Sequence, residues 1–194
     1  MIFEAQTEWI APDNFPDLRG YKIISIDLET KDPDLKTKGS GSVIGNGEVV
    51  GIAVAVDGWC KYYPIAHEGG GNLDKKKVLE WLKDVCATSS IKVFHNAMYD
   101  VCWLRSYGIK INGFIMDTMV MASLIDENRL RYDLNSLSFE YTGERKSEAA
   151  LYEAAKDWGI DPKAELYKLP AMHVGKYAEK DAELTLELFK RLST

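Results

Sequence analysis

The chain has 194 residues, 46% of them hydrophobic, enough for one substantial core and too few for a second globular domain beside it. A formal net charge of −6 counts against a nucleic-acid grip built on Lys and Arg alone. Cys60, Cys86 and Cys102 show no Cys-x-x-Cys spacing, Met1 to Ile10 lacks a basic flank and apolar core, and no apolar run reaches the ~18 residues of a membrane span, so a reduced, soluble, cytoplasmic setting without a membrane partner is expected.

Residues 1–20 carry Pro12, Pro16 and the turn-like Arg19-Gly20, which predicts an irregular lead-in before a single domain over 21–194. The apolar run Ile23-Ile24-Ser25-Ile26 predicts a first strand at about 22–28. A Gly/Ser-containing loop at 39–47 follows, then strands at 49–56 and 59–65 joined by Asp57-Gly58, a hairpin signal. Leu73, Val78, Leu79, Leu82 and Val85 recur at helical spacing. Residues 91–95 predict a short buried strand feeding a helix over 96–107, with Asn96 as N-cap and Gly108 as stop. A brief strand near 114–116 precedes helices over about 117–126, 133–141, 146–158 and 172–192. This order predicts an α/β fold, a mixed central β-sheet flanked by α-helices.

Four acids stand in readable contexts along these elements. Asp27 and Glu29 close the first apolar run, and because strand side chains alternate, they emerge on one side. Asp100 lies four residues after Asn96, and Asp181 four after Tyr177, so each has a neighbour one helical turn away. Hard cations such as Mg²⁺ and Mn²⁺ prefer carboxylate oxygen and water, and hold substrate phosphates in their remaining positions; the four acids suit two such ions. Each feature also has an ordinary reading. Asp-x-Glu commonly starts a solvated loop, Asn96 alone is a helix cap, and Tyr177 with Asp181 beside Glu179, Lys180 and Glu183 is an exposed charged face. Their conjunction, in order, is what carries weight.

Asp27-Leu28-Glu29-Thr30, Asn96-Ala97-Met98-Tyr99-Asp100 and Tyr177-Ala178-Glu179-Lys180-Asp181 resemble, in order, the three motifs of the DEDD 3′-to-5′ exonucleases, with Tyr177 pointing to the tyrosine branch. Asp117-Thr118-Met119, Tyr132 to Leu137 and Asp181 to Leu186 resemble the proofreading domain of family A DNA polymerases, and Tyr62 to Ile65, His67 to Asn72 and Gly143 to Lys146 resemble bacteriophage members. The resemblance spans about residues 20–192 and implies a ribonuclease H-like fold and release of 5′-mononucleotides from a 3′ end of DNA. It implies that Asp27 bridges two divalent cations (Mg²⁺ or Mn²⁺), that Glu29 and Asp181 complete the site of the attacking water, and that Asp100 serves the second ion. Tyr177 would orient the water; its ordinary pKa near 10 makes it a poor free base. Asn96, Thr30 and Leu28 would contact substrate, and Glu29 the terminal 3′-hydroxyl. The implied partners are DNA with a single-stranded 3′ end and a DNA polymerase domain in cis or in trans, in the host cytoplasm if the source is a bacteriophage.

Other features point elsewhere less well. Gly39-Ser40-Gly41 and Gly45-Asn46-Gly47 lack the Lys-Ser/Thr of a phosphate loop, and Gly69-Gly70-Gly71 reads as a flexible connection. His95 has no paired Cys, with His67 and His173 distant in sequence, which disfavours zinc. Lys75-Lys76-Lys77 and Arg145-Lys146 read as solvated helix faces, and Trp103, Tyr107, Phe139, Tyr141 and Trp158 mainly as core. Two alternatives remain: an exoribonuclease sharing the carboxylates, and a catalytically silent domain binding nucleic acid or a polymerase partner.

Overall fold

A computed structural model describes residues 7–146 and 148–194. The first six residues of the expected lead-in, and Ser147 within the expected helix over 146–158, lie outside the described residues.

Five strands form one sheet in the order β3-β2-β1-β4-β5: β1 Ile23–Lys31, β2 Glu48–Val56, β3 Trp59–Pro64, β4 Ile91–Phe94 and β5 Ile115–Asp117. The β1-β2-β3 meander is antiparallel, whereas β4 and β5 join parallel to β1, giving the mixed sheet that the alternating element order predicts. The β2-β3 turn is at Asp57-Gly58, with Gly58 in the left-handed region at φ 77°. β1 runs three residues past its expected end at 28, because its pairing with β2 continues through Lys31 across a register shift between Glu29 and Thr30. The loop at 39–47 contains a short helix, α1 Gly41–Ile44, started by the Ser40 hydroxyl.

Helices cover both faces. On one, α2 Lys75–Ala87 and α3 Ala97–Ser106 enclose Ile24, Ile26 and Leu28 of β1 with Ile52 and Val54 of β2. α2 is built for this: Asp74 accepts from the amides of Lys76 and Lys77, and Val78, Trp81, Leu82, Val85 and Cys86 form its buried stripe. On the other face lies α7 Ala171–Leu192, with α6 Ala149–Trp158 against it and α4 Thr118–Ile125 and α5 Leu134–Thr142 on its C-terminal half. Here the packing residues are small, Ala53 and Ala55 of β2 against Val174, Ala178 and Ala182 of α7, which brings helix and sheet close. Gly175 tightens the same seam, since a Cβ there would sit 2.0 Å from the Trp9 indole.

The described part of the lead-in, 7–20, has no helix or strand, yet it is pinned to both faces. Trp9 packs with the α7 cluster, while Phe15 stacks on Tyr63 and Leu18 enters the α2 side. Gly69-Gly70-Gly71 is less free than its composition suggests. A Cβ at Gly69 would lie 2.3 Å from the Pro170 nitrogen, and the Gly70 carbonyl accepts from the Ala171 amide, so the segment braces the start of α7.

Candidate functional site

β4 pairs with β1 only over Ile23 to Ser25, so the edge of β1 beyond it carries unpaired backbone groups. α3 starts at this edge, and the Leu28 amide donates to Asp100 Oδ1 at 3.1 Å. That bond fixes a carboxylate from residue 100 beside the acidic segment of β1. Asp27 and Glu29 lie on the opposite side of the strand from Ile26 and Leu28, facing α7. Their β2 partners are the small residues Ala53 and Gly51, and the Tyr62 ring lies over Gly51, where a Cβ would sit 2.0 Å from its hydroxyl. Asp181 descends from the close-packed helix, and ligand oxygens of Asp27, Glu29 and Asp181 all lie within 4.8 Å of one another. Residues 154 positions apart, Asp27 and Asp181, are thereby gathered into one cluster, with Asp100 adjoining it from the strand edge.

The electrostatics are those of crowded, buried carboxyls with one nearby cation, Lys146. Burial, followed by the charge of Asp181, lifts the Asp27 carboxyl to about 7. Glu29 and Asp100 are also pushed well above the carboxylate range, first by burial and then by Asp27. Burial raises Asp181 as well, against the opposing pull of Lys146. The Tyr177 hydroxyl, one turn before Asp181, is driven far up by burial and by Asp181, Glu29 and Asp27. Asp181 Oδ1 is buried and carries no well-formed hydrogen bond among the described residues. Hard oxygen donors, crowded negative charge and a buried unsatisfied oxygen fit a hard divalent cation.

The remaining expected residues fall around this centre. Asn96 sits at the α3 N-cap position, exposed and left-handed at φ 71°, but its side chain makes no capping bond. Capping comes instead from Asp117, whose carboxylate accepts from the Asn96 and Ala97 amides and also starts α4. Asn96 therefore presents its side chain to solvent beside the second motif. The Thr30 hydroxyl is 2.7 Å from the Tyr99 hydroxyl, which donates to Asp32. Leu28 is 7% exposed and packs in the core, contributing its amide to Asp100. His95 is not in the carboxylate group: it pairs with Thr118 at 2.8 Å, and burial lowers it to about 4. His67 is likewise spent on Tyr62 and the Leu169 carbonyl.

One site residue escapes the sequence reading. Lys146 belongs by composition to a basic cluster on a solvated helix, yet α6 starts only at Ala149 and Lys146 lies in the connection after α5. Its ammonium donates to Asp181 Oδ2 at 2.5 Å and stands 5.2 Å from the Tyr177 ring centroid. Gly143, a left-handed helix stop three residues earlier, is the local signal that the lysine leaves the helix.

Residues 5–194 match the family model for the 3′-5′ exonuclease of family A DNA polymerases. The chain is 38% identical to a DNA-directed DNA polymerase of Pseudomonas phage M6, over 95% of this chain and 29% of that protein. It is 29% identical to the DNA polymerase DpoZ of Salmonella phage PMBT28, over 91% of this chain and 27% of that protein. The chain thus spans less than a third of the length of these relatives. Among solved structures, RNase D of Trypanosoma brucei superposes with a TM-score of 0.65 at 18% identity, over 90% of this chain and 58% of that one, a likeness of ribonuclease H-like fold. No described helix is long and apolar enough to cross a membrane.

Proposed function

The chain belongs to the 3′-5′ exonuclease family of family A DNA polymerases, and on that premise we propose that it hydrolyses DNA from a single-stranded 3′ end, releasing 5′-mononucleotides, as the proofreading activity of a polymerase in cis or in trans. The observation that carries the reading is the meeting of Asp27, Glu29 and Asp181 within 4.8 Å, from two elements at opposite ends of the chain. The preference for DNA draws support from the phage relatives, which are DNA polymerases.

Asp27, Glu29 and Asp181 would hold one divalent cation, Mg²⁺ or Mn²⁺, and Asp27 with Asp100 a second. Such a pair supplies an acidified water as nucleophile and charge neutralisation at the leaving 3′ oxygen. The protein's own part is placement. The Leu28 amide holds Asp100 at the strand edge, and close packing of α7 holds Asp181 over the sheet. Burial and the neighbouring carboxylates hold the Tyr177 hydroxyl well above its ordinary range, which suits it to orient the water by hydrogen bonding rather than to act as a base. Asn96, exposed beside the second motif, offers a side-chain amide to the terminal nucleotide. Thr30 and the backbone at Leu28, at the strand edge, would contact the same nucleotide. The acidic net charge makes capture of substrate by this domain weak, so the tethered polymerase would deliver the strand.

The test is cleavage of 5′-labelled single-stranded DNA and RNA in Mg²⁺, in Mn²⁺ and in chelator, with a folded Asp27→Ala protein as control. The expected result is a metal-dependent ladder shortening from the 3′ end of DNA, absent in the variant. Faster degradation of RNA would reassign the substrate, and cleavage by Asp27→Ala at the wild-type rate would remove the site.

A further inference from the structure

Asp181 uses its two oxygens differently. Oδ2 is held by the Lys146 ammonium at 2.5 Å, whereas Oδ1 is buried and carries no well-formed hydrogen bond among the described residues; the Tyr177 hydroxyl interacts with the same carboxylate, which is grouped with Asp27 and Glu29. A buried carboxylate normally satisfies both oxygens. One oxygen pinned by a charge-assisted bond and the other short of a well-formed partner is an arrangement suited to a metal ligand.

The lysine is not a loose surface partner. Its side chain is 13% exposed and that of Asp181 6%. The backbone amide of Lys146 donates to Asn135 Oδ1 at 3.2 Å, which ties it to α5. Two residues earlier, Glu144 pairs with Lys180 of α7 at 2.5 Å, so the connection is tethered next to Asp181 itself. Between these anchors, Arg145 lies over the Phe139 ring at 3.8 Å. The Lys146 ammonium also stands 5.2 Å from the ring centroid of Tyr177, the residue expected to orient water. The ammonium thus reaches the carboxylate from a segment anchored at its backbone, beside an aromatic ring.

We propose that Lys146 is a positioning residue for the metal site: by holding Asp181 Oδ2 it turns Oδ1 toward Asp27 and Glu29 as a cation ligand. The inference rests on the proposed metal-dependent function and goes beyond it in assigning a role to a side chain outside the three motifs. It competes with a simpler view, in which a positive charge beside the site merely repels cations. The two views predict opposite signs. Loss of a hydrogen-bonding partner that orients a metal ligand typically costs about 10–100-fold in metal affinity. Loss of a repulsive charge would tighten the ion.

The experiment is direct titration of the nuclease with Mn²⁺, free ion being followed by electron paramagnetic resonance, for the wild type and Lys146→Met. Thermal melting in chelator checks folding, and Lys146→Gln carries the same test should the methionine variant fail to fold. The expected result is Mn²⁺ binding about 10–100-fold weaker in the variant, with turnover recovering as Mn²⁺ is raised by the same factor, a rescue that mere loss of packing would not give. Equal or tighter binding in a folded variant overturns the role of Lys146 and leaves the metal site standing. A wild-type chain that takes up no Mn²⁺ overturns the proposed function with it.

Discussion

The two faces of β1 carry opposite energetics on nine consecutive residues. Ile24, Ile26 and Leu28 point into the cluster under α2 and α3, where they are 0%, 0% and 7% exposed. Each such side chain contributes about 1.5–3 kcal/mol by leaving water. On the other face Asp27 and Glu29 sit under α7 with Asp181 near them, and burial with mutual repulsion opposes their charge. One face stabilises the fold, and the other holds charges in an arrangement the isolated chain resists. Because a strand cannot shift one face without shifting the other, the apolar side sets the register at which the carboxylates meet α7. A poised site of this kind needs a rigid scaffold, and here scaffold and site are alternate residues of one strand.

The largest effect should come from removing charge on the acidic face. Asp27→Asn is expected to lower cleavage on the order of 10³-fold or more, about 4 kcal/mol of transition-state stabilisation. The same change should stabilise the metal-free protein. The Asp27 carboxyl rises from 3.8 to about 7 on folding, so its favourable contribution is complete below about pH 4 and is lost as pH rises through about 7. That shift corresponds to on the order of 4 kcal/mol. In chelator, wild-type stability measured by denaturant should therefore fall from pH 4 to pH 8 relative to Asp27→Asn. His67 and His95, lowered to about 4 by burial, act in the opposite direction over the same range, but equally in both proteins, so the difference curve reports Asp27 together with its effect on Glu29 and Asp100. Parallel curves would mean that the acidic face is not strained.

The apolar face should show the reverse pattern. Ile26→Ala removes a fully buried side chain at the centre of the sheet and should cost about 3 kcal/mol. Turnover per folded molecule should stay close to wild type, provided that the strand keeps its register. A loss of turnover well beyond the loss of folded protein would show that the two faces are coupled by position as well as by connectivity.

Alternation made the division of β1 readable, since period two in Ile24, Ile26, Leu28 against Asp27 and Glu29 needs only local sequence. Local sequence served less well where a distant residue decided the outcome. Asn96 has the composition of an N-cap, but its backbone is left-handed at φ 71°, and the Asn96 and Ala97 amides go to Asp117, 21 positions away from Asn96. β1 outlasts its apolar run because β2 supplies partners through Lys31. Lys146 was hidden for the same reason: its carboxylate partner is 35 positions on, and a Lys beside an Arg at the start of a helical pattern has no local mark of burial.

The smallest predicted effect lies where the apolar face of β1 turns polar. Thr30 continues the series Ile26, Leu28 toward α3, and its hydroxyl meets the Tyr99 hydroxyl at 2.7 Å. Tyr99 donates onward to Asp32 Oδ2 at 3.0 Å, while Asp32 Oδ1 accepts from the Gly41 amide, so one phenol ties the end of β1, α3 and the α1 turn. Tyr99→Phe should cost about 1 kcal/mol, the net worth of such a bond, because Asp32 stays open enough to solvent to recover a partner. If Thr30 serves structure alone, Thr30→Val should couple to Tyr99→Phe in a double-mutant cycle of stability and leave KM for the oligonucleotide unchanged. A substrate contact makes a different demand: KM would rise in Thr30→Val and not in Tyr99→Phe. The two readouts separate a residue that closes the scaffold from one that reaches the terminal nucleotide, and thereby locate where along β1 the scaffold ends and the site begins.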